Sequence, residues 1–388
     1  MTKRLFDEDA YQTRFSAQVL ACEPQNKGYA VILDQTCFFP EEGGQTADRG
    51  IFRAGEQTIA VTDVQIDKDQ VIRHMVKKPV EVGSAVQGVI EWEKRFSDMQ
   101  QHTGEHIVSG LIHAAFGYNN VGFHLSANEV TLDLDGMLTA DQIAEIERKA
   151  NQTVYDNIEV IAEYPDAETL AGMEYRSKIE LEGSVRIVTI PDVDCCACCA
   201  PHVAHTGEIG LIKITHVAKY KSGVRLNMLC GARALADMQM KQEQIEAIGV
   251  ALSVKQHKTA AAVQKLQDEM ARMKLQLNAM GKQLAAGRAQ SIPEGTAQVC
   301  LFESELDQAV QRELVNQLTA RCTGFCGVFV GTDTAGYRYV IGAADGDARV
   351  CNQALKECCE VRGGGSKDMV QSSVKGTEEE IRTLFALL

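Results

Sequence analysis

Two widely separated pairs of metal-binding residue types constrain the fold of this chain more than any other feature. His102 and His106 lie four positions apart in a segment with helical periodicity, and Cys198 and His202 repeat that spacing in a cysteine-rich segment much later in the chain. On a helix, such a pair projects from one edge with its Cβ atoms about 5–6 Å apart. Imidazole nitrogen and thiolate sulfur suit tetrahedral Zn²⁺. We therefore predict that folding brings these four residues together as a zinc site.

The histidine pair allows other interpretations. The stretch from His102 to His106 reads H-x-x-E-H, the signature of inverted zinc peptidases, in which Glu105 would activate a water molecule. On a helix Glu105 lies about 100° from His106, so we expect its carboxylate to be solvated or paired. Two histidines at this spacing also occur without any metal, and the four cysteines within residues 195–199 would equally suit a strand that buries small thiols.

Length and composition are those of a soluble globular protein of two or three domains. No apolar run approaches the length of a membrane span, and the first residues lack the apolar core of a signal peptide. We expect a cytoplasmic protein with no membrane partner. In that compartment the 13 cysteines are expected to be reduced thiols or metal ligands rather than a disulfide framework.

The charge of the chain is acidic on average but not along its whole length. The formal net charge of −14 argues against indiscriminate binding of nucleic acid. However, residues 209–236 contain five basic residues and no acidic one, and residues 254–288 contain seven basic residues against Asp268 and Glu269. A solvated face would explain either stretch alone, whereas the two together favour a polyanionic partner.

Periodicity predicts an α+β fold built from four parts. Short apolar or alternating runs, separated by Gly, Asp and Asn, predict a β-barrel-like domain over residues 1–92. Helices mixed with strands predict an α+β zinc-containing domain over residues 93–234. Residues 235–290 are expected to form a helical hairpin or coiled coil, and residues 291–388 a small α/β domain with a glycine-rich loop.

The third part has the clearest periodicity in the chain. Apolar residues recur there in steps of three and four, as in a coiled-coil seam. These seam residues are Val263, Leu266, Met270, Met273, Leu277, Met280 and Leu284. A shorter helix near Leu235 to Val250 precedes them, so an antiparallel hairpin packed on its own chain is one interpretation. A homodimer formed through the same seam is the other.

Taken together, the motifs resemble one known family. The pattern H-x3-H, followed later by C-x3-H-V-x2-T-G-E-I-G, is similar to the editing domain of alanyl-tRNA synthetase and to the free-standing AlaX-type trans-editing proteins. CFFPEEGGQTADRG, beginning at Cys37, resembles the family's glycine motif. KYKSGVRLNMLCGARAL, beginning at Lys219, resembles its closing strand and exit helix. The tail loop beginning at Arg362 resembles a shortened glycine-rich loop of the synthetase's C-terminal domain, and the order of segments matches the long AlaX form.

The resemblance implies a zinc-dependent hydrolase that acts in trans on tRNA. The reaction would be deacylation of mischarged Ser-tRNA(Ala), and of Gly-tRNA(Ala) as a second substrate, by a zinc-bound water with no protein base assigned. The implied Zn²⁺ ligands are His102, His106, Cys198 and His202. The implied substrate-binding residues are Gly43, Gly44, Gln45 and His124, with Thr131 as a further contact for the serine hydroxyl.

The cysteine loop departs from the family pattern. The family commonly has C-G-G-T-H where this chain has Cys198-Cys199-Ala200-Pro201-His202. The ligand spacing is kept, but Cys199 offers a second thiolate, so the identity of the sulfur ligand stays open. Two other functions also stay open: an inverted zinc peptidase, and a non-enzymatic RNA-binding or assembly protein with a structural zinc.

Overall fold

The alternating runs near the N-terminus close into a six-stranded antiparallel barrel, which confirms the predicted β-barrel. The computed structural model describes residues 2–25, 27–126, 130–177 and 184–388 of the chain. The first elements are β1 Lys3–Arg4, α1 Leu5–Glu8, β2 Arg14–Gln25, β3 Gly28–Leu33, β4 Gln35–Thr36, β5 Gly50–Ala54, β6 Gln57–Ile66, β7 Ile72–Val76 and β8 Ala85–Ile90. The barrel follows the order β2-β3-β7-β6-β5-β8, and β1 pairs in parallel with β4.

An aromatic cluster fills the barrel. The ring of Phe38 makes edge contacts with Phe15, Phe52 and His74. His74 is fully buried, and its two ring nitrogens bond to the Thr36 hydroxyl and to a backbone carbonyl oxygen. Burial lowers the pKa of His74 to about 4, so this histidine is a neutral core residue near neutral pH.

The next elements form the helix and sheets around the candidate site. They are α2 Trp92–Phe116, β9 Asn120–Leu125, β10 Val130–Leu134, α3 Ala140–Asp156, β11 Ile161–Glu163, α4 Ala167–Gly172, β12 Ile187–Ile190, β13 Asp194–Ala197, β14 Ile212–Tyr220, β15 Gly223–Cys230 and α5 Gly231–Ala251. A four-stranded antiparallel sheet has the order β14-β15-β10-β9, and a three-stranded one the order β11-β12-β13. Apolar residues of α2, α3 and the four-stranded sheet form one core.

Polar side chains anchor the first turns of α2. Arg95 is fully buried and forms an ion pair with Asp48, its Nε lying 3.0 Å from Oδ2, and its guanidinium also donates to two backbone carbonyl oxygens. One turn later, Asp98 accepts a 2.6 Å hydrogen bond from Arg233 of α5. Buried charges are tolerated when they are paired and hydrogen-bonded in this way. The two ion pairs therefore fix α2 to the barrel on one side and to α5 on the other.

The chain divides into two compact units, Met1–Gln244 and Ile245–Leu388. The finer division into four parts stays a prediction. The second unit contains the end of α5 and α6 Thr259–Gln290, β16 Val299–Glu303, α7 Gln308–Thr319, β17 Phe325–Thr332, β18 Gly336–Ala343, α8 Ala348–Cys358, β19 Glu360–Gly365, β20 Met369–Lys375 and α9 Glu378–Ala386. Its sheet has the order β16-β17-β18-β20-β19, with α7 packed on one face and α8 and α9 on the other.

Two predictions for the second unit change with the structure. The glycine run beginning at Arg362 is not a loop but the edge strand β19, which pairs with β20. The seam residues of α6 are exposed on this chain, with 38% of Val263 and 71% of Leu277 accessible, so the described residues do not show the seam packed in a hairpin. The homodimer stays a prediction. Near the end of α6, Ala285 and Ala289 pack against α7.

Across the described residues, no helix combines the length and the apolarity needed to cross a bilayer.

Candidate active site and metal centre

The four predicted ligand residues converge at one point of the first unit. The ligand atoms of His102, His106, Cys198 and His202 all lie within 4.8 Å of one another. The Cys198 sulfur lies 3.6 Å from Nε2 of His102 and 3.4 Å from Nε2 of His202. Helix α2 supplies the first two side chains, and the loop after β13 supplies the others. The structure thus brings together the complete His3Cys set that the spacing predicts.

Two of the imidazoles are oriented by hydrogen bonds to the ring nitrogen that faces away from the cluster. Nδ1 of His102 lies 2.8 Å from Oε1 of Gln45, and Nδ1 of His202 lies 3.0 Å from the Thr103 hydroxyl. Such outer partners of metal-binding histidines fix the tautomer and the ring orientation. The amide oxygen of Gln45 accepts a hydrogen bond from Nδ1–H, which leaves the lone pair of Nε2 free to face the centre.

The third imidazole is held by a carboxylate. Oδ2 of Asp194 lies 2.9 Å from Nδ1 of His106, and its Oδ1 accepts a 2.7 Å hydrogen bond from Arg176. Arg176 also donates to the Ser109 hydroxyl on α2. Burial opposes ionisation, but the bonds from His106 and Arg176 hold the pKa of Asp194 below its usual value. Asp194 therefore remains a carboxylate that can orient His106 and increase the basicity of Nε2.

The pKa shifts within the cluster favour a thiolate at Cys198, a neutral His202 and, before any metal binds, a protonated His106. Burial raises the pKa of Cys198, but His102 and His202 outweigh that effect and hold it well below the usual value. Burial lowers the pKa of His202 to about 3. For His106, burial lowers the pKa while Asp194 raises it, with a net pKa well above the usual value. One thiolate and three nitrogens are a donor set that fits Zn²⁺, and metal binding here would displace a proton from His106.

The other cysteines fit the metal role less well. Burial and the neighbouring Cys198 raise the pKa of Cys199, and burial raises that of Cys196 to about 11. Cys196 does meet His106 and Asp194 in a second group that could hold a metal, but that group shares His106 with the first. Cys198 is therefore the thiolate best suited to the centre.

The glycine motif forms a tight turn beside the ligands. Glu42 and Gln45 exchange backbone hydrogen bonds of 3.3 and 3.1 Å, and Gly43 and Gly44 both have positive φ, at 63° and 84°. This is the two-residue hairpin turn that favours glycine at both central positions. A Cβ on Gly44 would lie 2.6 Å from the Phe123 carbonyl oxygen. The turn can therefore pack against β9 only without side chains, and it directs Gln45 to His102.

A cavity of about 450 Å³ adjoins the ligand cluster. His102, His106 and Cys198 lie on its wall, together with Glu42, Phe123 and Arg186. The Phe123 ring lies 4.7 Å from that of His102. Three of the four predicted ligands thus border a space that can admit a small molecule or the end of a larger one.

The structure places His124 and Thr131 on a face of the sheet that points away from the ligand cluster. Phe123 faces the site, and because successive side chains of a strand point to opposite faces, His124 points away from it. His124 is exposed and lies opposite Thr131 in the β9–β10 register, so both occupy the far face of the sheet. The sequence did not reveal which of the two neighbours, Phe123 or His124, faces the helix.

Glu105 is paired, as expected. It is 2% exposed, accepts a 2.6 Å hydrogen bond from the Asn120 side chain, and is absent from the wall of the cavity. A general base must reach the substrate's proton or a bridging water. This position therefore does not suit the base that the peptidase interpretation requires.

Sequence reasoning missed several residues that support the site. Asp194 precedes the cysteine cluster directly, and a charged residue in a strand that pairs with apolar β12 could have indicated a buried partner. Thr103 lies between the two histidines and points to the same side of α2. Arg176 and Arg186 gave no signal, because their positions depend on the packing of distant segments.

Two family models match the first unit. Residues 10–94 match the model described as tRNA synthetases class II (A), and residues 185–226 match the threonyl and alanyl tRNA synthetase second additional domain. The second match contains Cys198 and His202, together with strands β12 to β14.

Curated relatives extend the similarity over the whole chain. An alanyl-tRNA editing protein AlaX-L of Pyrococcus horikoshii is 30% identical over 61% of this chain and 60% of its own length. An alanyl-tRNA editing protein Aarsd1 of Mus musculus is 28% identical over 95% of this chain and 93% of its own length. An alanine--tRNA ligase of Halorubrum lacusprofundi is 31% identical over 74% of this chain and 32% of its own length.

These matches show that the chain is similar, over most of its length, to alanyl-tRNA editing proteins of the AlaX type. The chain spans only about a third of the ligase and three fifths of the Pyrococcus protein. The similarity to ligases is therefore confined to part of their length.

The Asp194 contact predicts a measurable effect on metal affinity. Replacing Asp194 by Asn removes the charge that orients His106, and we expect Zn²⁺ affinity to fall about 10–100-fold. Competition with a chromophoric chelator measures the change. The matched control is Cys195→Ser, because Cys195 is the next residue and its side chain contacts Thr189 rather than the cluster. Equal affinities of Asp194→Asn and wild type would contradict the role assigned to this carboxylate.

Proposed function

We propose that this protein is a zinc-dependent trans-editing hydrolase that removes serine from mischarged tRNA(Ala), with glycine as a second substrate. The observation that carries the proposal is the His3Cys cluster on the wall of a cavity. Its support from the comparisons is that relatives covering most of the chain are named alanyl-tRNA editing proteins. The reaction is hydrolysis of the ester between the amino acid and the terminal ribose.

The donor chemistry of the cluster fits zinc. His102, His106, Cys198 and His202 would hold the ion. Bound zinc supplies Lewis acidity, which activates water near neutral pH or positions the polar groups of the substrate.

The protein's own groups then orient the ligands and keep the loop in place. Arg186 is 6% exposed, and its Nη1 donates to the carbonyl oxygens of Cys198 and Ala200 at 3.1 and 2.8 Å. The Cys198 amide in turn donates to the Arg186 carbonyl oxygen. These bonds fix the backbone on both sides of Cys199 and hence the direction of the Cys198 sulfur.

A hydrolytic site separate from the alanine-activating pocket is needed because of the chemistry of the amino acids. An alanine pocket excludes glycine and serine poorly, because small differences in an apolar pocket yield only about 1–3 kcal/mol. A site that hydrogen-bonds the serine hydroxyl rejects alanine strongly, since alanine leaves the polar groups unpaired. The cavity wall has such polar groups beside the apolar ring of Phe123.

The tRNA backbone is the proposed polyanionic partner. Fewer basic side chains are available to it than the sequence indicates, because several already form ion pairs within the protein. In the first stretch Lys213, Arg225 and Arg233 are already ion-paired, whereas Lys219 and Lys221 are exposed at the β14–β15 turn. On α6, Lys274 and Lys282 are likewise exposed. These lysines are the proposed phosphate contacts.

Phosphate contacts predict salt-dependent binding, because each one releases counterions. Affinity for tRNA(Ala) is expected to fall steadily as salt is raised from low to physiological concentration, which filter binding measures. Lys219→Gln with Lys221→Gln should flatten that slope, whereas Lys77→Gln with Lys78→Gln, at two exposed lysines directly after β7, is the charge-matched control. A binding constant that stays flat across this range would sink the proposed backbone contacts.

The exposed seam of α6 is the proposed interface for a homodimer. A heptad repeat is complementary to a second copy of itself, and the seam side chains of α6 remain accessible. Light scattering is expected to give about twice the chain mass of 42.4 kDa, and Met273→Glu with Leu277→Glu should restore the mass of one chain. A wild-type mass of one chain at micromolar concentration would exclude this interface.

Deacylation of two esters tests the proposed function directly. Ser-tRNA(Ala) should be hydrolysed rapidly and Ala-tRNA(Ala) spared, and His106→Ala should reduce serine release to the uncatalysed rate because one ligand is lost. His113→Ala is the matched control, since His113 is an exposed histidine of the same helix. If both esters survive in zinc-replete buffer, the proposal fails.

The same assay separates a catalytic from a structural zinc. Cys198→Ser should lose serine release while the sole tryptophan, Trp92 on α2, reports an unchanged unfolding transition. Loss of the fold together with the metal would favour the non-enzymatic interpretation.

A further inference from the structure

The cavity is bordered by polar atoms that no described residue satisfies. Across the described residues, four buried side-chain atoms lack a hydrogen-bond partner: Asp7 Oδ1, Glu42 Oε2, Gln45 Nε2 and Arg186 Nε. Glu42 and Arg186 line the cavity, Gln45 orients His102, and Asp7 accepts a bond from Tyr164, which also lines the cavity. Buried groups of this kind cost free energy unless a partner arrives. Their concentration around one cavity indicates that a ligand supplies the missing partners.

The four atoms differ in the partner they require. Gln45 and Arg186 offer donors, which suit the neutral oxygens of an ester. Glu42 offers a carboxylate oxygen, and a buried carboxylate is best matched by a cation. The nearby Arg186 does not fill that role, because its own Nε is also unpartnered. An aminoacyl ester carries one cationic group, the α-ammonium group next to the ester carbonyl.

The position of Glu42 suits that group. Glu42 begins the glycine turn, and the next residue packs on the ligand loop: a Cβ on Gly43 would lie 3.2 Å from the sulfur of Cys199. Cys199 directly follows Cys198, so the turn and the thiolate share one wall of the cavity. Glu42 belongs to neither group of side chains that could hold a metal among the described residues. Its carboxylate therefore remains available to the substrate.

We propose that the Glu42 carboxylate binds the α-ammonium group of the aminoacyl ester. This inference rests on the proposed function and adds a substrate requirement to it. The site accepts esters with a free amino group and rejects those in which that group is missing or blocked. Peptidyl-tRNA, whose α-nitrogen is an amide, is consequently not a substrate.

Two substrates and two variants test the proposal. One substrate is Ser-tRNA(Ala), and the other is the same tRNA esterified with glyceric acid, in which a hydroxyl replaces the ammonium group. Wild-type kcat/KM is expected to favour the serine ester by about 10–100-fold, the range of a charge-assisted hydrogen bond. Glu42→Gln should lower kcat/KM for the serine ester by that factor and leave the glyceric ester unchanged, so that the preference disappears.

The control is Glu163→Gln. Glu163 is exposed, precedes the cavity residue Tyr164, and is not part of the cavity wall, so this change should leave both rates as in wild type. Zinc content and the Trp92 unfolding transition of Glu42→Gln should also match wild type, which shows that the ligand loop is intact.

The outcomes separate a failure of the role of Glu42 from a failure of the proposed editing function. Hydrolysis of both esters at equal rates by the wild type, or a preference that persists in Glu42→Gln, would overturn the role of Glu42 and leave the editing function standing. Equal losses on both esters in Glu42→Gln would likewise overturn it and indicate a part in the chemistry instead. A wild type that hydrolyses neither ester would overturn the proposed function and this inference with it.

Discussion

The candidate site depends on the burial of a polar stretch of α2. Every residue from Asp98 to Gly110 is buried, although that stretch contains charged, amide, hydroxyl and imidazole side chains. Buried polar groups must find partners, and those partners come from segments throughout the first unit. Gln45 arrives from the glycine turn, Asn120 from β9 and Asp194 from β13. One helix thereby determines where the surrounding elements must lie.

Close packing on α2 enforces the same arrangement. A Cβ on Gly104 would lie 2.3 Å from the sulfur of Cys230, and one on Gly110 would lie 2.5 Å from a carbonyl oxygen before β13. Both glycines therefore let neighbouring segments approach the helix more closely than any side chain would allow. This closeness places β13 so that Asp194 reaches His106. The positions of the four candidate ligands thus follow from packing and hydrogen bonding within the protein.

The sequence predicted the parts of this arrangement that follow from spacing. Residue spacing alone predicts the four candidate ligands, His102, His106, Cys198 and His202. Alternating apolar runs predict the barrel. The sequence could not predict which face of β9 points to the site. A shift of one residue exchanges Phe123 for His124, and no local signal distinguishes the two.

The sequence also could not predict which side chains from distant segments pair with one another. The basic stretch near β14 and β15 reads as an uninterrupted cationic surface, yet Lys213 and Arg225 pair with Glu147 and Asp133 from earlier elements. Likewise, the sequence shows Glu42 only as one of two acidic residues before two glycines. Its unpartnered oxygen becomes visible only when the turn is packed against the cysteine loop. Pairing and burial are properties of the folded chain.

Zinc K-edge X-ray absorption of the purified, zinc-loaded protein tests the central claim most directly. The account predicts one sulfur neighbour at about 2.3 Å and nitrogen neighbours at about 2.0–2.1 Å, with the sulfur contribution lost in Cys198→Ser and retained in Cys199→Ser. Two sulfur neighbours, or a sulfur signal that disappears with Cys199 rather than Cys198, would contradict the ligand set on which the site and its proposed chemistry are built.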